Sequence, residues 1–535
     1  MTLPSAAAAR SPHKASLPLS LARGREFGRF ERLELRLPLA ATALGDALLI
    51  NDLVAGAQSR GDVAPTVAMT PGHTVAVFEG KGPVDRQGVF MKLWPANAEP
   101  STVTAVQVNS TRRGDQHSPA VATDDDGNLV VVWAGRGTGD KHGIFFRRFD
   151  QDANPLGEET RVNQTAGGQQ IQPAVAMTRN GSFAVAWSGV GTGDVDGVFW
   201  RSYNADGSPR TDELLVNSHT ANRQNEPALA VDSTGNLLAA WTSRHQDGSD
   251  LGVFAQRLGL AGDPLGEELS VTTTTALSQS APTLAIDPTG GFFAAWQSWG
   301  QDSDGWSVVG RSIPIAGTPA GAEAILNDLV GGHQVDPAIA VDGAGQVFAA
   351  WSSGVPDGNG WESVARTFLS DGTPDGESFA VPAQASGANS GHQRTGAVAI
   401  RDASAVVGWS GQGIPDRAGV YLQRYVIEFE STDPQQPPDL APIADLDGMV
   451  GVPIEISITA SDPNRNDRLT FLLDRDDAPP GAILEQIDGV SAQLRWTPPA
   501  SAAGQRVPVR VLVVDDGEPP LSDAEEFFVS VAASS

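Results

Sequence analysis

The phrase "NLVVVWAGRGTGDKHGIFFRRF", residues 128–149, returns as "SFAVAWSGVGTGDVDGVFWRSY" at 182–203 and as "NLLAAWTSRHQDGSDLGVFAQRL" at 236–258. A repeat of this kind fixes the architecture before any single residue does. Its markers are a proline opening a short apolar strand, at Pro65, Pro119, Pro173, Pro227, Pro282 and Pro337, with Gly396 at the equivalent place. The first five intervals are 54, 54, 54, 55 and 55 residues and the last is 59. An aromatic follows each marker by 13 or 14 residues: Phe78, Trp133, Trp187, Trp241, Trp296, Trp351 and Trp409.

Within a unit, short apolar runs alternate with turn residues, the mark of strands rather than helices. In the unit from Pro119, "PAVAT", "LVVVWAG", "GIFFRRF" and "ETRVN" read as strands A to D, separated by "DDDGN", a polar loop around Asp140 and "DQDANPLGE". No segment carries the apolar spacing of a helical repeat. Four antiparallel strands recurring at this period predict the blades of a β-propeller. Seven markers predict seven blades.

The seventh unit has strands A, B and C and then meets "STDPQQPP". Its missing strand D is predicted ahead of the first marker, where "LPLAATALGDALLINDLVAG" at 37–56 matches "IPIAGTPAGAEAILNDLVGG" of the fifth unit. The segment around Ala47–Asn51 would then close the ring and cover a sheet edge. "FERLELRL" resembles a strand C and competes for that place. The predicted organisation is a disordered basic segment at 1–36, a seven-bladed propeller at 37–430, a Pro-rich linker at 431–438 and a β-sandwich at 439–535.

The last 97 or so residues carry about seven short strands with Gly/Pro turns, at sandwich spacing. Their segments "ITASDPN", "APPGAILE", "LRWTPP" and "VRVLVVDDGEPPLS" resemble the cadherin-like or putative-Ig modules of bacterial surface proteins. The propeller phrases "VNxxTxGxQxxPAVA" and "GVFxQRxxxxGxPLG" resemble, more loosely, repeats of bacterial exported proteins that carry such modules. That resemblance implies a secreted or cell-surface protein, a monomer or part of a larger multimodular chain.

The formal charge of −28 disfavours nucleic-acid partners and anionic membranes and favours cation binding. With no cysteine, disulfides, thiolate metal sites and cysteine nucleophiles are excluded. No apolar run is long enough for a transmembrane helix.

Two sets of repeated polar residues are predicted on one face. The B–C loops hold Asp85, Asp140, Asp194, Asp247, Asp302, Asp357 and Asp416; the D–A loops hold Gln116, Gln170, Gln224, Gln279, Gln334 and Gln393. They could form an acidic, amide-rich mouth for a cation or a sugar. A residue repeated in every blade more often serves the blade, and that reading is preferred. Departures from the repeat point more directly to a ligand. Strand C opens with Gly88, Gly143, Gly197, Gly252 and Gly419; counting back from Arg311 and Arg366 puts Trp306 and Trp361 in that place, with Trp299 in the adjoining loop. Trp299, Trp306 and Trp361, with Asp302 and Asp357, are the candidate ligand-binding set, weighed against simple packing between blades.

Calcium is the one cofactor the sequence suggests, on Asp462, Asn464, Asn466, Asp467, Asp515 and Asp516. Ordinary turn formation by these residues is the favoured competitor. Catalytic motifs such as HExxH, GxSxG and the P-loop are absent, and no catalytic residue is singled out. The function expected is non-catalytic extracellular recognition, adhesion or scaffolding, with a propeller face that binds a glycan or a protein. The alternative is an extracellular polysaccharide-active enzyme, glycosidase or lyase, using carboxylates at the propeller mouth.

Overall fold

The computed structural model describes residues 41–533 except 53–64, 83–84, 97, 233, 288–289, 315–321, 355–359, 370–371, 382–392, 402, 412–418, 428–435, 464–467, 474–477, 488 and 516–520. Among these residues the fold is all-β and propeller-like, with two single-turn 3₁₀ segments and no α-helix. Seven four-stranded antiparallel sheets follow one another along the chain. Their first strands are Thr66–Met69, Gln116–Thr123, Gln170–Met177, Gln224–Val231, Gln279–Ile286, His333–Val341 and Gln393–Arg401. In the second sheet these strands continue with Leu129–Gly137, Asp140–Phe149 and the two-residue Thr160–Arg161.

The second strand of each sheet is a continuous apolar run because both its faces are covered. Leu129–Ala134 are 0% exposed. The strand aromatics Trp133, Trp187, Trp241, Trp296, Trp351 and Trp409 are all at most 1% exposed. Each packs between consecutive sheets: Trp133 lies in the cluster of the first and second, Trp187 in that of the second and third, Trp241 in that of the third and fourth. A further cluster joins the last sheet to the first, where Val406, Val420 and Leu422 meet Ala76, Phe78 and Trp94. The apolar contacts thus run from sheet to sheet without an end.

The last sheet takes its fourth strand from the N-terminal side, as the matching phrases predict. Ala41–Leu49 runs antiparallel to Gly419–Ile427, from Ala41 opposite Ile427 to Leu49 opposite Tyr421. A register shift between Leu44 and Leu48 holds Gly45 at φ +70°, a conformation that glycine adopts without strain. The competing "FERLELRL" lies outside the described residues.

Two more four-stranded sheets occupy residues 439–532. One orders its strands Asp439–Leu440, Ile454–Ser461, Ser491–Trp496 and Ile483–Gln486; the other Leu446–Met449, Ser522–Ala532, Arg506–Val514 and Thr470–Leu473. Leu446–Met449 pairs parallel to Ser522–Ala532, the only parallel pair among the described strands. Both sheets contribute to one core, with Ile458, Leu494 and Trp496 from the first and Phe471, Val511 and Phe527 from the second.

Candidate functional site

The repeated aspartates and glutamines turn inward, to hydrogen bonds within and between the sheets. In the first, second, third and fifth sheets the aspartate meets a third repeated residue, the asparagine directly after the buried apolar residue of strand D, Val108, Val162, Val216 or Leu326. In the first sheet Asn109 Nδ2 donates to Asp85 Oδ2 at 2.9 Å and to Gln116 Oε1 at 3.2 Å, and Asn109 Oδ1 accepts the Val89 amide at 2.8 Å. Asn163 binds Asp140 at 2.8 Å, Asn217 binds Asp194 at 2.9 Å and Asn327 binds Asp302 at 3.0 Å. In the last sheet Asn51 accepts the Val420 amide at 2.8 Å. Asp85, Asp140, Asp194 and Asp302 are at most 9% exposed, and the six glutamines at most 4%. A buried carboxylate needs such donors, so the set ties strand C to strand D and to the next sheet. Asp357 and Asp416 lie outside the described residues.

This network explains the glycines that open strand C. A Cβ on Gly197 would stand 2.8 Å from the Asp194 carboxylate, and one on Gly143 would stand 2.9 Å from Asn163 Oδ1. The strand register corrects the alignment of the two tryptophans. Gly135 faces Gly143 and Gly189 faces Gly197, but in the fifth and sixth sheets the facing pairs are Ser298–Ser307 and Ser353–Glu362. Ser307 and Glu362 therefore stand in the glycine column. Trp306 and Trp361 stand one residue earlier, where the second and fourth sheets have His142 and Leu251. One residue along a strand reverses the face, which turns both indoles away from the buried network.

What these indoles meet is a continuous run of rings. Trp306 faces Trp299 across the strand pair, with centroids 5.5 Å apart and planes at 82°. Trp299 lies 5.6 Å from the His333 ring, and His333 stacks at 6.5 Å on Trp361. The Trp306 amide donates to His333 Nδ1 at 3.3 Å, so the neutral imidazole carries its proton on Nε2. The Arg394 guanidinium sits 4.2 Å above the Trp361 ring and binds Asp336 Oδ2 at 2.7 Å. The surface spans the fifth, sixth and seventh sheets, and Trp299 is 41% exposed. The structure thus joins all three predicted tryptophans, while the Asp302 carboxylate turns to Asn327.

His333, Asp336 and Arg394 were not singled out from the sequence. Asp336 belongs to a second ring of positions, the residue just before each proline marker. Ser118, Gln172, Glu226, Ala281 and Asp336 hold φ between +52° and +56°, each at a break in strand register. Non-glycine residues held there cost on the order of 1 kcal/mol each and cluster at functional sites. Their amides turn toward the preceding sheet: Ser118 N–H to Glu79 Oε2 at 3.1 Å, Ala281 N–H to Glu226 Oε2 at 3.1 Å, Asp336 N–H to Gln297 Oε1 at 3.3 Å. Glu226 Oε2 also accepts the Thr242 hydroxyl at 2.8 Å. Three carboxylates, Glu79, Glu226 and Asp336, thus belong to this ring of linked sheets. A signal existed in the sequence: the column before the marker reads Ala, Ser, Gln, Glu, Ala, Asp, Thr, far more varied than the two columns that follow it.

Of the six proposed calcium ligands, Asn464, Asn466, Asp467 and Asp516 lie outside the described residues. Asp462 follows strand Ile454–Ser461, and Asp515, 4% exposed, accepts the Leu521 amide at 2.7 Å on Oδ1. Among the described residues no three His, Asp or Glu side chains are grouped to hold a metal.

No protein-family profile matches this chain, and no curated protein matches its sequence. Solved structures similar to it include an α-L-arabinanase of Penicillium chrysogenum complexed with arabinobiose, 12% identical, covering 72% of this chain and 98% of that one, TM-score 0.41. An α-L-arabinofuranosidase of Fusarium graminearum with an iminosugar inhibitor is 13% identical over 58% of this chain and 93% of that one, TM-score 0.41. A polysaccharide lyase is 9% identical over 72% of this chain and 98% of that one, TM-score 0.44. The likeness is one of fold. The expectation of a non-catalytic recognition, adhesion or scaffold protein is corrected by this set, in which carbohydrate-cleaving enzymes predominate. No helix of the described residues is long and apolar enough to cross a membrane.

Proposed function

We propose that this chain is a polysaccharide-active enzyme working outside the cell. Its seven sheets would be the blades of a propeller at 37–430, followed by a linker at 431–438 and a cadherin-like β-sandwich at 439–535. The observation that carries the reading is the path Trp306–Trp299–His333–Trp361–Arg394–Asp336, an aromatic surface that ends on a carboxylate held by a cation. Aromatic faces bind the apolar faces of sugar rings, and glycan cleavage needs a carboxylate or imidazole beside them to move a proton. As a carboxylate paired with Arg394 at 2.7 Å, Asp336 would serve as a base or nucleophile rather than as an acid. His333, exposed and able to exchange the proton on Nε2, or Glu226, would be the partner. A glycosidase uses two such groups around the scissile bond; a lyase uses one to remove a proton from the sugar.

The test is incubation of the full chain with a panel of neutral and acidic polysaccharides, reading reducing ends for hydrolysis and ultraviolet absorbance for an unsaturated lyase product. Product release that is lost in Asp336→Asn and weakened in Trp361→Ala supports the reading. Absence of product from every polysaccharide overturns it. The calcium ligands of the last two sheets form a separate proposal, read from the thermal midpoint of a truncation-free chain with and without EDTA.

A further inference from the structure

The Asp–Asn tie that recurs from sheet to sheet is broken in the fourth. There the carboxylate is Asp247 and the place of the asparagine is taken by Thr272, within "SVTTTT" where other units read "RVNQT" or "LVNSH". Asp247 Oδ1 keeps its turn bonds, from the Ser249 amide at 2.9 Å and the Ser249 hydroxyl at 2.7 Å. Asp247 Oδ2 has no hydrogen-bond partner, although its counterparts on Asp85, Asp140, Asp194 and Asp302 all have an asparagine amide. Thr272 Oγ1 has none either, on a side chain 3% exposed.

The oxygens around this point are placed as in the other sheets. Gln279, 0% exposed, donates through Nε2 to Ala276 O at 3.2 Å, as Gln224 does to Ala221 O at 3.0 Å. Gln224 thereby turns Oε1 to within 3.4 Å of Asn217 Nδ2; the Oε1 of Gln279 is without a partner, as are those of Gln170 and Gln334. Asparagine Nδ2 also donates to the carbonyl two residues on, that of Thr111, Thr165, His219 or Leu329. The equivalent carbonyl in the fourth sheet is that of Thr274. An amide donor is thus replaced by a hydroxyl, and the carboxylate oxygen and the hydroxyl on either side of the lost tie are both left without a partner.

We propose that a hard cation, Ca²⁺ or Na⁺, binds at this point in the fourth sheet. The donor set is all oxygen with one formal negative charge, the chemistry such ions select, and the chain's charge of −28 favours their approach. A water molecule would be the alternative occupant, since it can donate to both Asp247 and Gln279.

The test uses the full chain freed of metal by EDTA and exchanged into choline chloride. CaCl₂ and NaCl are titrated separately, reading the thermal midpoint and, for calcium, the bound equivalents by calorimetry. One of the two salts should raise the midpoint, with one bound equivalent if it is calcium. Thr272→Asn, which restores the residue of the other sheets, should lose that shift and that equivalent while keeping a midpoint at least as high as the cation-free protein. Asp247→Asn should lose both as well, which guards against a folding defect in one variant. No response to either salt leaves water as the occupant and overturns the proposal. A response that persists in both variants places the ion elsewhere, on Asp462 or Asp515 for example, and overturns it too.

Discussion

Arg394 Nη1 lies 2.7 Å from Asp336 Oδ2 while its guanidinium carbon stands 4.2 Å over the Trp361 ring. One side chain from the seventh sheet thus holds a carboxylate and an indole of the sixth. Both partners are partly exposed, Arg394 at 26% and Asp336 at 45%, so the pair itself stabilises little, about 0.2–1 kcal/mol. A double-mutant cycle of Arg394→Met and Asp336→Asn should give a coupling in that range by chemical denaturation, shrinking at high salt. A coupling near zero would leave Arg394 only its contact with Trp361.

The asparagine tie is worth more because it is buried. Asn163 meets Asp140 at 2.8 Å, the Ile144 amide at 2.8 Å and the Thr165 carbonyl at 2.8 Å. Asn163→Leu strands a buried carboxylate and a strand amide, at a cost of roughly 3 kcal/mol. Urea unfolding should show that loss, whereas a change under about 1 kcal/mol would mean that water takes over the bonds.

The glycine that opens strand C makes room for the same carboxylate. Gly197→Ala places a Cβ 2.8 Å from Asp194, so the loop must shift, at about 1–3 kcal/mol. Because Asp194 Cβ itself stands 2.8 Å away, the cost should fall in the double variant Gly197→Ala, Asp194→Gly, measured against Asp194→Gly alone. An unchanged cost would locate the clash elsewhere.

These residues also show which parts of the molecule could be read in advance. The period, the number of sheets and the N-terminal strand of the last sheet were legible because an apolar run, a tryptophan and a proline recur together. Trp306 and Trp361 stood out, yet their column was misassigned because arginine is not a constant ruler. Arg257 pairs with Leu238, three residues before its strand tryptophan, while Arg311 pairs with Ala294, two before. Asp336 and Arg394 stayed hidden for a different reason. Their pairing joins adjacent sheets 58 residues apart in the chain, a distance no local pattern reports.

Acid should loosen the ties between sheets in a way that can be assigned to one carboxylate. Burial works against the charge of Glu323, but the Thr274 hydroxyl at 2.7 Å, the Thr274 amide at 3.1 Å and the amide and hydroxyl of Thr273 outweigh it. Its pKa therefore lies below the ordinary glutamate value. A group depressed in the folded state gives stability that is fully present above the unfolded pKa, about 4.3 for glutamate. That stability is lost as pH falls through the folded value, because the unfolded chain takes up the proton first. Glu323→Gln should thus lower the midpoint at neutral pH and flatten its fall below about pH 4.3. Asp328 is depressed likewise, with burial opposing its charge and the Ser378 hydroxyl and amide outweighing that cost. The acid limb should therefore flatten further in the double variant with Asp328→Asn. Midpoints recorded from neutral pH downward decide the matter: parallel curves for wild type and Glu323→Gln would show that the threonine contacts do not hold the charge.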